Sequence, residues 1–169
     1  TDKANFAGSS ISVASSDIKL LNVYNGGIDP SNLVDSKPGP TFTNIYSGWA
    51  ENYVVQIYNN GSSDLRLSSK AEYQTANDPA ELRQVTYIEI FEWVDGNGDG
   101  IPQQEEYDSH PLGGGRKQII KWNTQGFDLG VLPKGQVRTL VLRFSADSIS
   151  PTKQGASMIF DFSFDATGM

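Results

Sequence analysis

The segment 95–106, DGNGDGIPQQEE, carries oxygen-bearing groups at alternate positions. Groups able to bind a hard cation stand at positions one, three, five, seven, nine and twelve: Asp95, Asn97, Asp99, the Ile101 carbonyl, Gln103 and Glu106. Calcium takes about six to eight oxygen ligands, and one short loop supplies them at this spacing. Gly100, at position six, permits the sharp turn that such a loop needs. The segment therefore predicts a structural calcium-binding loop.

The loop resembles those of EF-hands and, through its Gly-Ile-Pro sequence, those of dockerins and thrombospondin type-3 repeats. Pro102 stands where paired EF-hand loops have an aliphatic residue, and an apolar strand rather than a helix precedes the loop. A paired EF-hand sensor is therefore not expected. A plain polar turn is the alternative, since Asp-Gly and Asn-Gly favour turns. The regular spacing of the oxygens is more restrictive than turn composition and favours calcium.

The chain has 169 residues, a net charge of -7 and no cysteine. This length suits one well-buried domain, which disulfides cannot stabilise. Lysine and arginine are scattered, so we expect no basic patch and no nucleic-acid binding. The sequence has no apolar run of about 18–20 residues, and membrane insertion of the mature chain is not expected. Because the chain begins at Thr1, we expect a removed leader and secretion to the cell exterior.

Alternation of apolar and polar residues predicts an all-β fold. The predicted strands lie in segments 10–24, 41–46, 52–58, 65–73, 85–94, 119–122, 137–145 and 156–166. Segment 85–94 carries apolar residues on both faces, which predicts a central strand of a sheet covered on both sides. The expected fold is a jelly-roll-like β-sandwich of about nine or ten strands, spanning residues 10–169, with one short helical turn.

Glycine, proline and polar clusters predict the connections. They comprise a surface loop at 25–40, a hairpin turn at 59–63, a mobile triglycine loop at 107–116 and a turn region at 126–135. Asp78, as N-cap before Pro79, predicts the helical turn. The sequon at Asn60 is interpreted as part of the hairpin turn rather than as a glycosylation site.

Residues suited to catalysis are sparse. His110 is the single histidine, and it lies beside Pro111 and three glycines, a poor setting for an ordered general base. Zinc catalysis usually needs about two or three nitrogen or sulfur ligands, so we expect no enzymatic activity. Trp49, Trp93 and Trp122 are candidates for a sugar-binding platform. We expect Trp49 to be exposed and Trp93, in the most apolar strand, to lie in the core.

Three stretches in the same order resemble the TasA/camelysin family of secreted biofilm matrix filament proteins, which includes related archaeal bundling pilins. They are FAGSSISVASSDIKL at 6–20, VVQIYNNGSSDLRL at 54–67 and FDFSFDAT at 160–167. The resemblance implies a jelly-roll subunit that polymerises by donor-strand complementation, in which the N-terminal strand of one subunit completes a sheet of the next. The partners would then be copies of the chain in a head-to-tail filament.

The first nine residues form the candidate donor strand. No local hairpin turn pairs residues 1–9 with a neighbour, and Phe6 is their only large apolar residue. An extended segment can add to an open sheet edge through backbone hydrogen bonds. Ala4 and Phe6 are therefore the predicted interface residues. The alternatives are a frayed terminus or an ordinary first strand of the same subunit.

The expected function is that of a secreted, self-assembling structural subunit of an extracellular filament, pilus or biofilm matrix. From a different class, the alternative is a monomeric extracellular module that binds carbohydrate or mediates adhesion with the help of calcium. Electron microscopy would separate the two, since a monomeric module forms no long polymer.

Overall fold

The structure is a computed structural model that describes residues 4–39, 41–73, 81–94, 97–99, 101–107, 111–124, 126–147, 149, 153 and 155–168. Two six-stranded sheets carry most of these residues, which confirms the predicted all-β sandwich. The described residues form twelve strands, more than predicted, because short strands also form in segments predicted as loops. No helix in the described part is long and apolar enough to cross a membrane.

The strands are numbered in chain order across both sheets. The first sheet contains β1 (Ala4–Val13), β4 (Ser36–Pro38), β5 (Thr41–Ile45), β7 (Leu65–Tyr73), β10 (Phe127–Leu132) and β12 (Ser157–Gly168). Its order is β10-β7-β12-β1-β4, and β5 also pairs with β1. The second sheet contains β2 (Ile18–Leu21), β3 (Leu33–Val34), β6 (Ala50–Asn59), β8 (Thr86–Glu92), β9 (Pro111–Gln118) and β11 (Val137–Ala146), in the order β3-β2-β6-β11-β8-β9.

The core lies between the two sheets and follows the alternation of the sequence. On β12, Phe160, Phe162 and Phe164 are completely buried, whereas Asp161, between the first two, and Asp165, after the third, are exposed. Strand β11 contributes Leu140, Leu142 and Phe144 to the same cluster from the opposite sheet. Successive side chains of a strand point to opposite faces, so each strand gives one apolar face to this core.

Strand β8 is covered on both faces, as predicted. It pairs with β11 on one side and with β9 on the other. Ile88 and Ile90 point into the main core, while Phe91 belongs to a second cluster on the outer face, with Trp93 and Tyr107. The apolar residues on the two faces of β8 therefore belong to two separate clusters.

The predicted hairpin between segments 52–58 and 65–73 is wrong. Strand β6 pairs with β2 and β11, whereas β7 pairs with β12 and β10 in the other sheet. Asn59, completely buried, directs this crossing: its side-chain amide donates to the carbonyls of Ser63 at 2.9 Å and Leu132 at 3.0 Å. A hairpin and a crossing present the same alternation, so the sequence pattern could not separate them.

Segment 119–122 forms a helix rather than the predicted strand. Helix α2 spans Ile119–Thr124, and Ile119 and Trp122, three residues apart, are both completely buried. This spacing places both side chains on one face of a helical turn. The Trp122 indole N–H donates to the carbonyl of Ile88 at 3.1 Å and fixes the helix against β8. The helix closes one side of the core.

Two segments predicted as loops or turns form strands. The triglycine segment belongs to β9, and residues 127–132 form β10. Opposite β9, the register shifts between Ile88 and Ile90, so residues 113–116 make an extended bulge in the ladder. Gly115 adopts φ +93°, which favours glycine because it has no Cβ. The glycines therefore lie in a bulge within the sheet.

The remaining connections differ in detail from the prediction. Within 25–40 lie a 3-10 helix at Pro30–Asn32 and the short strands β3 and β4. Asp78 and Pro79 lie outside the described residues. Glu81 has a left-handed backbone, φ 57°, and a 3-10 helix follows at Leu82–Gln84.

We expect Phe162→Ala to lower the free energy of unfolding by about 3–5 kcal/mol, because it leaves a cavity among buried aromatic rings. Ile159→Ala on the same strand is the control: Ile159 is 43% exposed, and its truncation should cost less than about 1 kcal/mol. Chemical denaturation of both variants measures the difference, and equal losses would contradict this assignment of the core face.

Candidate functional site

The 95–106 loop leaves the end of β8 and returns onto the outer face of the second sheet. It ends in a short helix, α1 (Gln104–Tyr107). Trp93, two residues before the loop, is 2% exposed, and Tyr107, immediately after it, is 1% exposed. Both belong to the outer apolar cluster. The loop is therefore held at each end by a buried aromatic side chain.

Tyr107 anchors the far end through packing and hydrogen bonds. Its ring centroid lies 4.8 Å from that of Phe91. The Asn52 amide donates to the Tyr107 hydroxyl oxygen at 3.2 Å, and the Arg143 guanidinium approaches the same oxygen at 3.4 Å. Since these partners come from β6 and β11, the loop end is tied to two central strands.

Four predicted ligand residues come together in the loop. The Gln103 side-chain amide donates to an Asp99 carboxylate oxygen at 2.7 Å, and the Asn97 amide lies 3.4 Å from the Gln103 side-chain oxygen. The Gln103 backbone N–H donates to Glu106 Oε1 at 3.0 Å. Positions three, five, nine and twelve of the loop thus form one connected group of polar side chains.

The remaining predicted ligands are Ile101 and Asp95, and Gly100 is the predicted turn residue. Ile101 is 61% exposed, and its backbone N–H donates to Asp99 Oδ1 at 2.9 Å. Asp95 and Gly100 lie outside the described residues. In the part of the chain that the structure describes, no three acidic or histidine side chains form a metal cluster.

The chemistry of the described donors fits a hard cation. Asn97 and Asp99 are exposed, Gln103 and Glu106 are half-buried, and all four carry oxygen ligands of the kind that calcium prefers. The Ile101 backbone N–H bound to the Asp99 carboxylate lowers the pKa of Asp99 below its usual value. The hydrogen bond favours the charged form, so Asp99 is an anion at neutral pH. Its stabilisation of the loop is present above the unfolded-state pKa and is lost as the pH falls through the folded-state pKa.

Glu106 also joins the loop to the fold. The Trp93 indole N–H donates to Glu106 Oε1 at 3.0 Å. The Trp93 ring stacks on Tyr24 with centroids 5.8 Å apart. A change at the twelfth loop position therefore directly affects the buried Trp93, which stacks on the half-buried Tyr24.

The three tryptophans do not form an exposed platform. Trp49 is 6% exposed, Trp93 2% and Trp122 0%. Burial of Trp93 confirms its predicted core position, whereas the expected exposure of Trp49 is wrong: its ring packs edge-on against Phe42 at 4.9 Å. A sugar platform built on these three rings therefore has no support in the described structure. The single histidine, His110, lies outside the described residues.

The first strand occupies the middle of the first sheet. Strand β1 runs parallel to β12 and antiparallel to β4 and β5. Ala4 is the Cα partner of Ile45, and Phe6 is the Cα partner of both Met158 and Phe42. The Phe6 side chain lies outside the described part of the structure. Residues 4–13 thus form one strand of their own subunit, and it runs across the predicted boundary between residues 1–9 and 10–169.

The chain was compared with protein-family models and with curated proteins. Neither the scan against protein-family models nor the search of curated proteins finds a match to the chain. The functional inference therefore depends on the geometry and on the residues themselves.

Sequence reasoning missed the anchors of the loop. Tyr107 directly follows the closing glutamates, and an aromatic residue at that place is a local signal of docking. Its partners Asn52 and Arg143 are 55 and 36 residues away, and no local pattern connects them. The Tyr24 contact with Trp93 is likewise visible only in three dimensions.

We expect a double-mutant cycle of Trp93→Phe and Glu106→Ala, measured in a calcium chelator, to give a coupling free energy of about 1–2 kcal/mol. A hydrogen bond to a charged group has this magnitude. Chemical denaturation of the two single variants and the double variant supplies the values. Strict additivity would show that the indole–carboxylate bond contributes nothing to stability.

Proposed function

We propose that the chain is a self-assembling structural subunit of an extracellular filament or biofilm matrix, of the TasA/camelysin type. Subunits join by exchange of the N-terminal part of β1, and calcium in the 95–106 loop stabilises the fold. The observation that carries this proposal is the position of β1, an N-terminal strand inserted between β12 and β5.

Strand β1 is divided into two halves. Residues 5–8 pair with β12 on one side, and residues 4–7 pair with β5 on the other. Residues 10–12 pair with β12 and β4. The β12 register shifts between Gly8 and Ser10. A bulge at this point interrupts the ladder, so the first half can leave while the second half remains.

The second half of β1 is secured to its own subunit. The Val13 N–H donates to the Asp35 carbonyl at 2.9 Å and the Ala14 N–H donates to the Phe164 carbonyl at 2.8 Å. Ile11 is completely buried. These contacts keep residues 10–14 in place, so an exchanged segment 4–8 would reach from one subunit into the next.

Exchange replaces each lost contact by an identical one. If residues 4–8 leave, the backbone edges of β12 and β5 remain without a partner, and unpaired edges favour an added strand. The same segment of another subunit fills them with the same hydrogen bonds, which makes this kind of swapping a low-cost route to assembly. A head-to-tail contact that does not close produces a filament.

Calcium has a structural role in this proposal. The loop connects the outer face of the second sheet to the end of β8, through Trp93 and Tyr107 at its two ends. A cation bound by the loop neutralises its carboxylates and fixes their positions. The charged loop then holds the outer aromatic cluster in place.

Paired cysteine variants test the exchange, because the natural chain has no cysteine. Ala7 and Thr41 are Cα partners on antiparallel β1 and β5, where Cβ atoms lie about 4.5–5.5 Å apart. We mix Ala7→Cys chains with Thr41→Cys chains under oxidising assembly conditions. Disulfide-linked pairs of the two different chains are expected, since strand exchange brings these positions together across subunits.

The control pair is Ser68→Cys mixed with Asp165→Cys. These residues are Cα partners on β7 and β12, which remain within one subunit, so no mixed pair is expected. Filaments seen by electron microscopy without Ala7–Thr41 cross-links would contradict the exchange. Filament formation after deletion of residues 1–9 would contradict it as well.

Calcium removal is expected to lower the melting temperature. Ligand bound only to the folded state adds about 2.7 kcal/mol at 100 times its dissociation constant, which corresponds to about 5–10 °C for a chain of this size. Asp95→Ala and Glu106→Ala should each abolish this increment, whereas Glu51→Ala, outside the loop, should keep it. Calorimetry with and without chelator measures this increase in melting temperature. Identical curves for the natural chain would refute calcium binding.

A further inference from the structure

Strand β10 stands at one end of the first sheet. It pairs with β7 on one side, and none of the described strands pairs with its other side, which we call the β10 edge. A strand at the end of a sheet presents backbone N–H and C=O groups, and a strand of another molecule can pair with them. The β10 edge is therefore a place where two copies of the chain could join.

The other outer strands carry features that hinder such pairing. Strand β3 has two residues, and β4 has three and ends at Pro38. Strand β9 begins with Pro111 and contains the glycine bulge, and the register of β5 shifts opposite Ala4–Phe6. Short strands, prolines and bulges all oppose the addition of a further strand. Strand β10 has six residues and no proline, so neither its length nor a proline protects its edge.

Arg138 binds the carbonyl groups of the β10 edge. Its Nη1 group donates to the Leu129 carbonyl at 2.9 Å, and its Nη2 group donates to the Val131 carbonyl. One guanidinium contacts both carbonyls, so both point to the same side of the strand. Strand β7 fills the opposite side, because backbone carbonyls point sideways toward a neighbouring strand. Two acceptors that a further strand would use are therefore occupied.

A third contact fixes the Arg138 side chain. Arg138 Nε lies 3.1 Å from Glu92 Oε2, and the Arg138 side chain is only 16% exposed. Arg138 and Glu92 lie two residues from Leu140 and Ile90, which point into the core, so both are inward positions near the ends of β11 and β8. Each of the three guanidinium nitrogens thus has a partner. A lysine ammonium, a single point of charge, could not span the same three groups.

A bulge in β10 lies between the two bound carbonyls. The register of β10 on β7 shifts between Asp128 and Gly130, and Gly130 has φ +87°. The Gly130 N–H donates to Asp128 Oδ1 at 3.3 Å. A Cβ on Gly130 would lie 3.5 Å from Arg138 Nη1, so the glycine backbone packs beside the guanidinium. A bulge bends a strand and interrupts its ladder, so it acts on the β10 edge together with Arg138.

We propose that Arg138, held in place by Glu92, caps the β10 edge and prevents it from pairing with the β10 edge of a second copy of this chain. Without the cap, every copy presents the same open edge, and two identical edges can pair about a twofold axis. The cap leaves assembly to other parts of the fold. It does not depend on the exchange of β1, since an isolated subunit needs the same protection against unwanted pairing.

Removal of the guanidinium tests the cap in the full chain. Arg138→Met keeps a long unbranched side chain but has no group that donates to the carbonyls. Sedimentation velocity should give a self-association constant at least about tenfold above that of the natural chain. Arg66→Met is the matched control with the same change of charge: Arg66 lies on β7 and contacts the exposed Asp128 carboxylate at 3.1 Å. This variant should associate no more than the natural chain.

A second substitution identifies the surface that associates. The N–H and C=O of one strand residue point to the same side, so Val131→Pro removes an N–H from the β10 edge, where proline is tolerated. Adding it to Arg138→Met should return association to the level of the natural chain. Association of Arg138→Met no stronger than that of Arg66→Met would overturn the cap. Excess association that persists in the double variant would also overturn it, because another surface or a partly unfolded chain would then be responsible. Cross-linking of Ala7→Cys with Thr41→Cys reports strand exchange and is read separately.

Discussion

The fold depends on β12 being paired along both of its edges. It lies between β7 and β1, and its inward phenylalanines form the middle of the main core. Those rings remain dry only while the sheet on both sides of β12 is complete. One of the two neighbours, β1, is an N-terminal segment that carries no hairpin connection to β12. One side of the central strand β12 is therefore completed by β1, the strand that the proposed assembly would exchange.

This arrangement relates stability to assembly. A strand inserted in the middle of a sheet contributes backbone hydrogen bonds on both edges, so its loss would be costly for an isolated subunit. The register shifts between Gly8 and Ser10, and Ile11 and the amides of Val13 and Ala14 hold the second half of the strand. In the proposed exchange, the subunit would remain folded through this second half while its first residues leave.

The outer face of the second sheet is partly apolar. Phe91, Trp93 and Val141 need a cover, and the return of the chain at Tyr107 supplies one. The loop that makes this return carries the carboxylates of Asp99 and Glu106, and both are joined to Gln103 by hydrogen bonds. In the proposed function, a divalent cation bound here would fix these carboxylates, and the loop would hold the outer cluster in place.

The sequence by itself determined the β-sandwich, the inward residues of β11 and β12, the double coverage of β8 and the oxygen spacing of the loop, since each follows from a local period or a local spacing. Tertiary structure alone decided which strands pair. Alternation is the same for a hairpin and for a crossing between sheets, so β6 and β7 could not be separated from the pattern. The segment Ile119–Trp122 is too short for the spacing of its apolar residues to distinguish a strand from a helix. The packing of Trp122 against β8 favours the helix. One cleft brings together Arg116, Lys117 and Lys121. The Tyr107 hydroxyl likewise contacts Asn52 and Arg143. Side chains from such distant segments meet only after the sheets have formed.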